Sequence, residues 1–375
     1  MFLHRTARPL PLGVRRWGAA IALAIGLVGC SGNRGPIAES ESEAPVAQAD
    51  SPVVVATTSV LCDLTQQIAE TTVALTCLLD PGTDPHTYQV KPSDRQALEQ
   101  ADLVLYDGYG YAPTLIEMVE SSSTRAARVP VYEQAVPTPL MGAAHDDHDT
   151  EAAHADGDGH DHSAEGAEEP SDEPADHAEE HGDSATEGPM PDPHIWHSAT
   201  HNAAMASVIA DRLTEINPDQ ADLYAENASR LVSQFEEIDR WIQTQVATVP
   251  ADQRQLVTTH NSFGYFADAY GFEVKGALSG LSTDEKPTPG ALTALVEQVK
   301  AAQVPTIFAE TTTNPQLIET VAKDAGVTVA EQPLFVEGPG GPGSAAETMQ
   351  DVLVVNTCVV VEALGGSCDR ASAPL

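Results

Sequence analysis

The stretch Pro218-Asp-Gln-Ala-Asp-Leu-Tyr-Ala-Glu-Asn-Ala-Ser-Arg-Leu-Val-Ser-Gln-Phe-Glu-Glu-Ile-Asp-Arg-Trp-Ile-Gln-Thr-Gln-Val246 decides the architecture. Within it Tyr224, Leu231, Phe235, Ile238, Ile242 and Val246 recur at spacings of seven, four, three, four and four, which lays them along one face of a helix. Pro218 suits a first helical turn and Pro250 stops the pattern, so a linking helix is predicted over 218–249. Roughly thirty residues at 1.5 Å each make a rod of about 45 Å, enough to run across two stacked lobes as a stiff spine. Short β-branched runs alternate with helical stretches on both sides of it, the pattern of parallel sheets covered by helices. Val53 to Thr57, Thr76 to Leu79, Leu103 to Tyr106 and Val129 to Tyr132 are predicted strands of a first lobe. Gln255 to Thr259, Glu273 to Gly276, Thr306 to Ala309 and Thr328 to Ala330 are predicted strands of a second. The fold class is therefore α/β, with an N-terminal lobe over 51–217 and a C-terminal lobe over 250–368.

The whole chain of 375 residues carries 18 Lys and Arg against 56 Asp and Glu, a net charge of −38, which excludes a nucleic-acid binder built on a general basic surface. The charge is concentrated: His145 to Glu187 holds seventeen acidic residues, seven histidines and no Lys or Arg. With few aromatics it cannot bury a core, so the insert 143–189 is expected to be disordered. At the other end, Arg5, Arg8, Arg15 and Arg16 precede the apolar run Trp17 to Val28, which is short for a membrane span and reads as a secretory signal over 1–29. It closes on Leu27-Val28-Gly29-Cys30, which resembles the lipobox of bacterial lipoproteins, with Cys30 as the acylated residue. Residues 30–50, rich in Gly, Pro, Ser, Glu and Ala, are then a flexible tether. Export exposes Cys62, Cys77, Cys358 and Cys368 to an oxidising compartment where disulfides persist. Three pairings are open to them; loop closure favours Cys62 with Cys77 and Cys358 with Cys368, and geometry has to choose.

Six of the thirteen histidines lie outside the insert, and His4 leaves with the signal. His86 follows the strand ending at Leu79, and His260 follows Leu256-Val-Thr-Thr259, so both sit in loops beyond strand carboxyl ends, where open parallel sheets gather ligands. His194 stands in Asp192-Pro-His-Ile-Trp-His197, repeating the Asp84-Pro that precedes His86. A single such histidine is more often a surface or capping residue; three in equivalent places, two preceded by Asp-Pro, point to a metal site.

These stretches carry a family resemblance over nearly all of the mature chain. It rests on Val53-Val-Val-Ala-Thr-Thr-Ser59, Asp84-Pro-His-Thr-Tyr88 with Lys91-Pro-Ser-Asp94, Asp192-Pro-His-Ile-Trp196, and Asn217-Pro-Asp219 with Tyr224 and Asn227. It continues through His260-Asn-Ser-Phe-Gly-Tyr-Phe266, Gly280-Leu-Ser-Thr283 and Phe308-Ala-Glu-Thr311. In that order and spacing they resemble the zinc and manganese solute-binding proteins of bacterial metal ABC importers, the ZnuA/TroA type. The resemblance implies two lobes joined by a rigid helix and one metal ion in the cleft between them. Its ligand positions fall on His86, His194 and His260, with Glu337 after Leu334-Phe-Val336 where many relatives have aspartate. A bound water or an open position is the rival to Glu337.

Three imidazoles with at most one carboxylate suit tetrahedral Zn²⁺, whereas Mn²⁺ prefers oxygen-rich six-coordinate sites, so zinc is the expected cargo and manganese the alternative. Asp84 and Asp192 are placed to orient the imidazoles or to cap a turn. Glu310, at the end of a predicted strand, is expected to face the cleft or to serve as an interlobe hydrogen-bond partner, and in either case outside the ligand set. The insert, with His145, His148, His154, His160, His162, His177 and His181, would collect zinc weakly or serve as a solvated spacer. A secreted zinc hydrolase is the competing class, with Glu337 as its only possible base. The chain has no His-Glu-x-x-His, no Gly-x-Ser-x-Gly and no phosphate-binding Gly-x-x-x-x-Gly-Lys-Ser/Thr, so it is read as a receptor and not an enzyme. The expected partners are a membrane permease and the bilayer through Cys30, with no nucleic acid. The expected state is a monomer in the periplasm or on the outer face of the cytoplasmic membrane. Affinity is expected to fall as pH drops through about 6.5.

Overall fold

The computed structural model describes residues 51–142, 190–284 and 287–375. The signal and tether over 1–50 and the acidic insert over 143–189 lie outside the described residues. The first lobe runs β1 (Val53–Ala56), α1 (Ser59–Ala69), β2 (Ala74–Cys77), α2 (Pro92–Gln100), β3 (Leu103–Tyr106), α3 (Pro113–Ser121), β4 (Ala127–Pro130) and α4 (Val131–Ala135). Its four strands are all parallel, in the order β2-β1-β3-β4. Then come α5 (Ala199–Ile216) and the spine, α6 (Ala221–Val246). The second lobe runs β5 (Gln255–His260), α7 (Gly264–Tyr270), β6 (Glu273–Ser279), α8 (Pro289–Ala302), β7 (Thr306–Ile307), α9 (Gln316–Ala325), β8 (Thr328–Val329) and α10 (Met349–Ala363). Here β5 pairs with β6 and β7 with β8, and Phe308 N donates to Val257 O at 2.9 Å, tying the two parallel pairs into the same 2-1-3-4 order as the first lobe.

Strand periodicity explains how each sheet is covered. Val54 and Ala56 of β1 and Leu103 and Leu105 of β3 face one cluster, while Val55, Val104 and Tyr106 face another with Leu98 and Leu115 from α2 and α3. In the second lobe Val257, Leu278 and Ile307 face an outer cluster closed by Leu295, Val299, Ile318 and Val321 from α8 and α9. The inner cluster is common to both lobes. It joins β1, β3, α1 and α5 to α6 through Leu231, Phe235, Ile238 and Ile242, and onward to α10 through Val352, Leu353 and Val361. All six residues of the predicted α6 face are at most 2 % exposed. The helix itself is 26 residues, about 39 Å at the α-helical rise. It is shorter than predicted because Pro218–Gln220 forms a separate 3₁₀ turn at its start and the last turn frays after Val246.

Two strands are displaced by two residues from their predicted positions. The register of β2 with Val53 to Ala56 runs from Ala74 to Cys77; Leu78 adds one more bond, its N–H to the Ala56 carbonyl at 3.0 Å, and Leu78 and Leu79 are buried in the cluster of Val55, Val104 and Tyr106. β4 ends at Pro130, so Val131 and Tyr132 open a helix. β7 and β8 keep only two residues each of the predicted four and three. The cysteines pair as Cys62–Cys77, stapling α1 to β2, and Cys358–Cys368, stapling the chain end to α10.

Candidate metal centre

Each sequence-predicted donor comes from a different segment, His260 from a strand end and the others from loops and turns. His86 lies between β2 and α2, where Asp84 Oδ1 accepts the His86 backbone N–H at 3.0 Å and holds the turn. His194 begins a 3₁₀ turn, Ile195–His197, reached from a short antiparallel stem. In that stem Gly142 N donates to Met190 O and Asp192 N to Leu140 O, both at 2.8 Å, so the chain leaves for the insert and returns side by side. His260 is the last residue of β5. Glu337 follows the bridge between Glu310 and Leu334, and its carbonyl accepts from Ser59 Oγ at 3.0 Å. The next residue, Gly338, has φ +110°, and a Cβ there would stand 2.6 Å from Ser59 Oγ, so only glycine allows this close approach to α1.

The structure brings these four side chains together, each at most 5 % exposed. One ligand atom from each of His86, His194 and His260 lies within 4.8 Å of the others, and the same holds for Asp84, His86 and Glu337. His194 Nε2 and His260 Nε2 are 3.3 Å apart, about the edge of a tetrahedron drawn with 2.0–2.1 Å zinc–nitrogen bonds. Glu337 Oε1 is 3.6 Å from His260 Nε2. His86 Nε2 and Glu337 Oε1 are buried without a hydrogen-bond partner, as donors aimed at an ion would be.

Carboxylates behind the rings fix their orientation. Asp192 Oδ1 takes both the backbone N–H and Nδ1 of His194, each at 2.9 Å. Glu310 takes the His260 backbone N–H on Oε1 at 2.9 Å and Nδ1 on Oε2 at 2.7 Å. With Nδ1 engaged in this way, each Nε2 is the ring nitrogen turned to the cleft. Asp84 departs from the pattern: it reaches only the His86 backbone, and its Oδ2 accepts from Thr283 Oγ1 at 2.5 Å across the cleft. Tyr111 OH donates to Glu337 Oε2 at 2.5 Å, which aims Oε1 at the rings.

The protons are unevenly held. Burial, with the neighbouring rings, pushes His86 and His194 far below the usual imidazole value, so both are neutral. Burial opposes a charge on His260 as well, but Glu310, Glu337 and Asp84 outweigh it and push the ring up to about 9. Burial raises Glu337 to about 7 against the pull of His260 and Tyr111.

His197 and His201 stay out of the cluster. His197 is buried and stacks on Phe263 with centroids 4.3 Å apart, and His201 Nδ1 lies 3.2 Å from the Ile195 carbonyl. Sequence reasoning missed Tyr111 and the second side of Asp84. The nearest signal for Tyr111 was Gly108-Tyr-Gly-Tyr111, whose Gly108, Tyr109 and Gly110 all have positive φ and force the turn that presents it.

Two α/β lobes with a buried polyhistidine cluster between them define a metal receptor. The family model for the zinc-uptake complex component A, periplasmic, ZnuA, matches residues 54–363, and the chain belongs to this family of extracytoplasmic, lipid-anchored receptors of metal ABC importers. Manganese-binding lipoprotein MntA of Halalkalibacterium halodurans is 30% identical over 83% of this chain and 88% of its own. Manganese ABC transporter substrate-binding lipoprotein PsaA of Streptococcus pneumoniae is 24% identical over 92% of this chain and 96% of its own. Among solved structures, the periplasmic zinc binding protein TroA from Treponema pallidum has a TM-score of 0.68 at 25% identity, over 84% of this chain and 99% of that one. A Mn-bound periplasmic metal binding protein from Candidatus Liberibacter asiaticus has a TM-score of 0.64 at 23% identity, with the same coverage, and shares the fold.

Proposed function

We propose that the chain captures Zn²⁺ between its lobes, with His86, His194, His260 and Glu337 as ligands, and delivers it to the membrane permease of an ABC importer. The observation that carries this reading is the convergence of three imidazoles, two with Nδ1 committed to a carboxylate, on a buried point that Glu337 also faces. Nitrogen-rich, four-donor surroundings suit zinc. The protein does no chemistry on the ion. Cys30 would hold it to the bilayer, and it would work as a monomer whose lobes divide at the two ends of α6. A manganese receptor is the second reading, supported by Asp84 beside the same cluster and by the similarity to the manganese-binding lipoproteins MntA and PsaA.

Competitive titration of the purified protein with Zn²⁺ and Mn²⁺ tests the choice. One tight Zn²⁺ per chain, retained when 145–187 is deleted, is expected; tighter Mn²⁺ binding, or loss of the tight site with the deletion, would refute the assignment. A second expectation concerns protons. At pH 7 the metal-free site holds one on His260 and a fraction of one on Glu337, and the ion has to displace both. Zinc binding should therefore release between about one and two protons, and affinity should rise with pH up to about 9. Calorimetry in buffers of different ionisation enthalpy measures this directly; no proton release at pH 7 would contradict the protonated His260.

A further inference from the structure

Two donor triads share His86. The first is all nitrogen: His86, His194 and His260. The second is oxygen-rich: Asp84, His86 and Glu337, again with one ligand atom of each within 4.8 Å of the others. Opposite donors of a six-coordinate ion with bonds of about 2.1–2.4 Å stand about 4.2–4.8 Å apart, so the second triad is also on the scale of one coordination sphere. Two of its members, His86 and Glu337, present a buried atom with no hydrogen-bond partner.

Asp84 is built differently from the other carboxylates beside the histidines. Asp192 and Glu310 each spend themselves on one histidine, backbone and ring together. Asp84 uses Oδ1 for the His86 backbone and leaves the His86 ring alone. Its Oδ2 is held by the hydroxyl of Thr283, from the loop after β6 in the other lobe. A hydroxyl is a latch that a cation can outcompete: the Thr283 proton can turn to water, whereas a carboxylate bound to a histidine N–H cannot leave without unsettling a ligand.

Resting on the cleft-site reading above, we propose that Asp84 is a fifth protein donor that sets the choice of metal. With zinc, Thr283 keeps Asp84 aside and the ion takes the three imidazoles and Glu337. With manganese, Asp84 Oδ2 exchanges Thr283 for the ion, and the donor set becomes three nitrogens and two carboxylates, closer to the oxygen-rich sphere that a hard cation prefers. The same cleft thereby accepts both metals, and the Asp84–Thr283 contact sets their ratio.

The test is competitive titration of the full chain with Zn²⁺ and with Mn²⁺, comparing wild type, Asp84→Asn and Thr283→Val. In Asp84→Asn the amide oxygen can still accept the His86 N–H, so the loop is kept while the charged donor is lost. Its manganese affinity should fall at least about tenfold further than its zinc affinity. Thr283→Val frees the carboxylate and should move the ratio the other way, raising manganese relative to zinc by about threefold or more. If Asp84→Asn weakens both metals alike, Asp84 only supports the His86 turn and the inference is wrong. It is equally wrong if both variants shift the ratio in one direction, or if wild type takes no manganese. A wild type that binds neither metal at one site per chain would bring down the receptor reading itself, a result distinct from intact zinc binding with unmoved selectivity.

Discussion

His260→Ala is expected to lower zinc affinity by at least about 10³-fold. Removing a group that merely orients a metal ligand costs about 10–100-fold, and here a ligand goes together with its orienting carboxylate's purpose. Glu310 would keep the residue 260 N–H on Oε1, but its Oε2 would be left buried without the ring it now binds at 2.7 Å. An uncompensated buried charge is costly, so the variant should also melt lower without metal. A chromophoric chelator competing for zinc reads the affinity. A loss smaller than tenfold would mean that the tight site lies elsewhere in the chain.

Trp196→Ala should cost about 3–5 kcal/mol of stability in the metal-free protein, near the upper end for core truncations. Trp196 has no exposed surface, and its ring packs against Tyr111 at 4.6 Å, His194 at 5.3 Å and Tyr132 at 5.6 Å between centroids. Its Nε1–H donates to the Val336 carbonyl at 2.9 Å, so the same side chain supports His194 from one side and the Glu337 segment from the other. The melting temperature should fall by about 10 °C. Met141→Ala, at a residue 54 % exposed, is the control and should change stability by less than about 0.5 kcal/mol. A Trp196→Ala penalty under about 1 kcal/mol would show that the residues around it repack.

Much of this was legible in the chain itself because it is local. The α6 face follows from spacing alone, and β1, β3 and β5 lie where alternation with helices puts them. His86 and His194 announced themselves by a repeated Asp-Pro-His, and the structure gives both the same turn, with the aspartate on the backbone N–H two residues on. The failures were of two kinds. Strand ends depend on partners: the pairing of β2 with β1 begins at Ala74 and closes at Cys77, with one further bond from the Leu78 N–H to the Ala56 carbonyl. The orienting contacts join residues far apart in sequence, Tyr111 to Glu337 across 226 positions and Asp84 to Thr283 across 199, and no periodicity encodes such meetings. Glu310 was expected near the cleft and is found gripping His260 across 50 positions.

The inner hydrophobic cluster, continuous from β1 through α6 to α10, has a consequence for the rate at which cargo comes and goes. Swinging whole lobes apart would tear that cluster and expose side chains such as Phe235 and Ile242, each holding about 1.5–3 kcal/mol of burial free energy. Rotating a carboxylate, a hydroxyl or the glycine-bearing turn after Glu337 exposes almost none of it. Such small movements run on picosecond-to-microsecond clocks, while collective lobe motions take microseconds to milliseconds. The lifetime of the loaded state is then written in the coordination bonds and the few side chains around them, and a permease that unloads this receptor has only to disturb those.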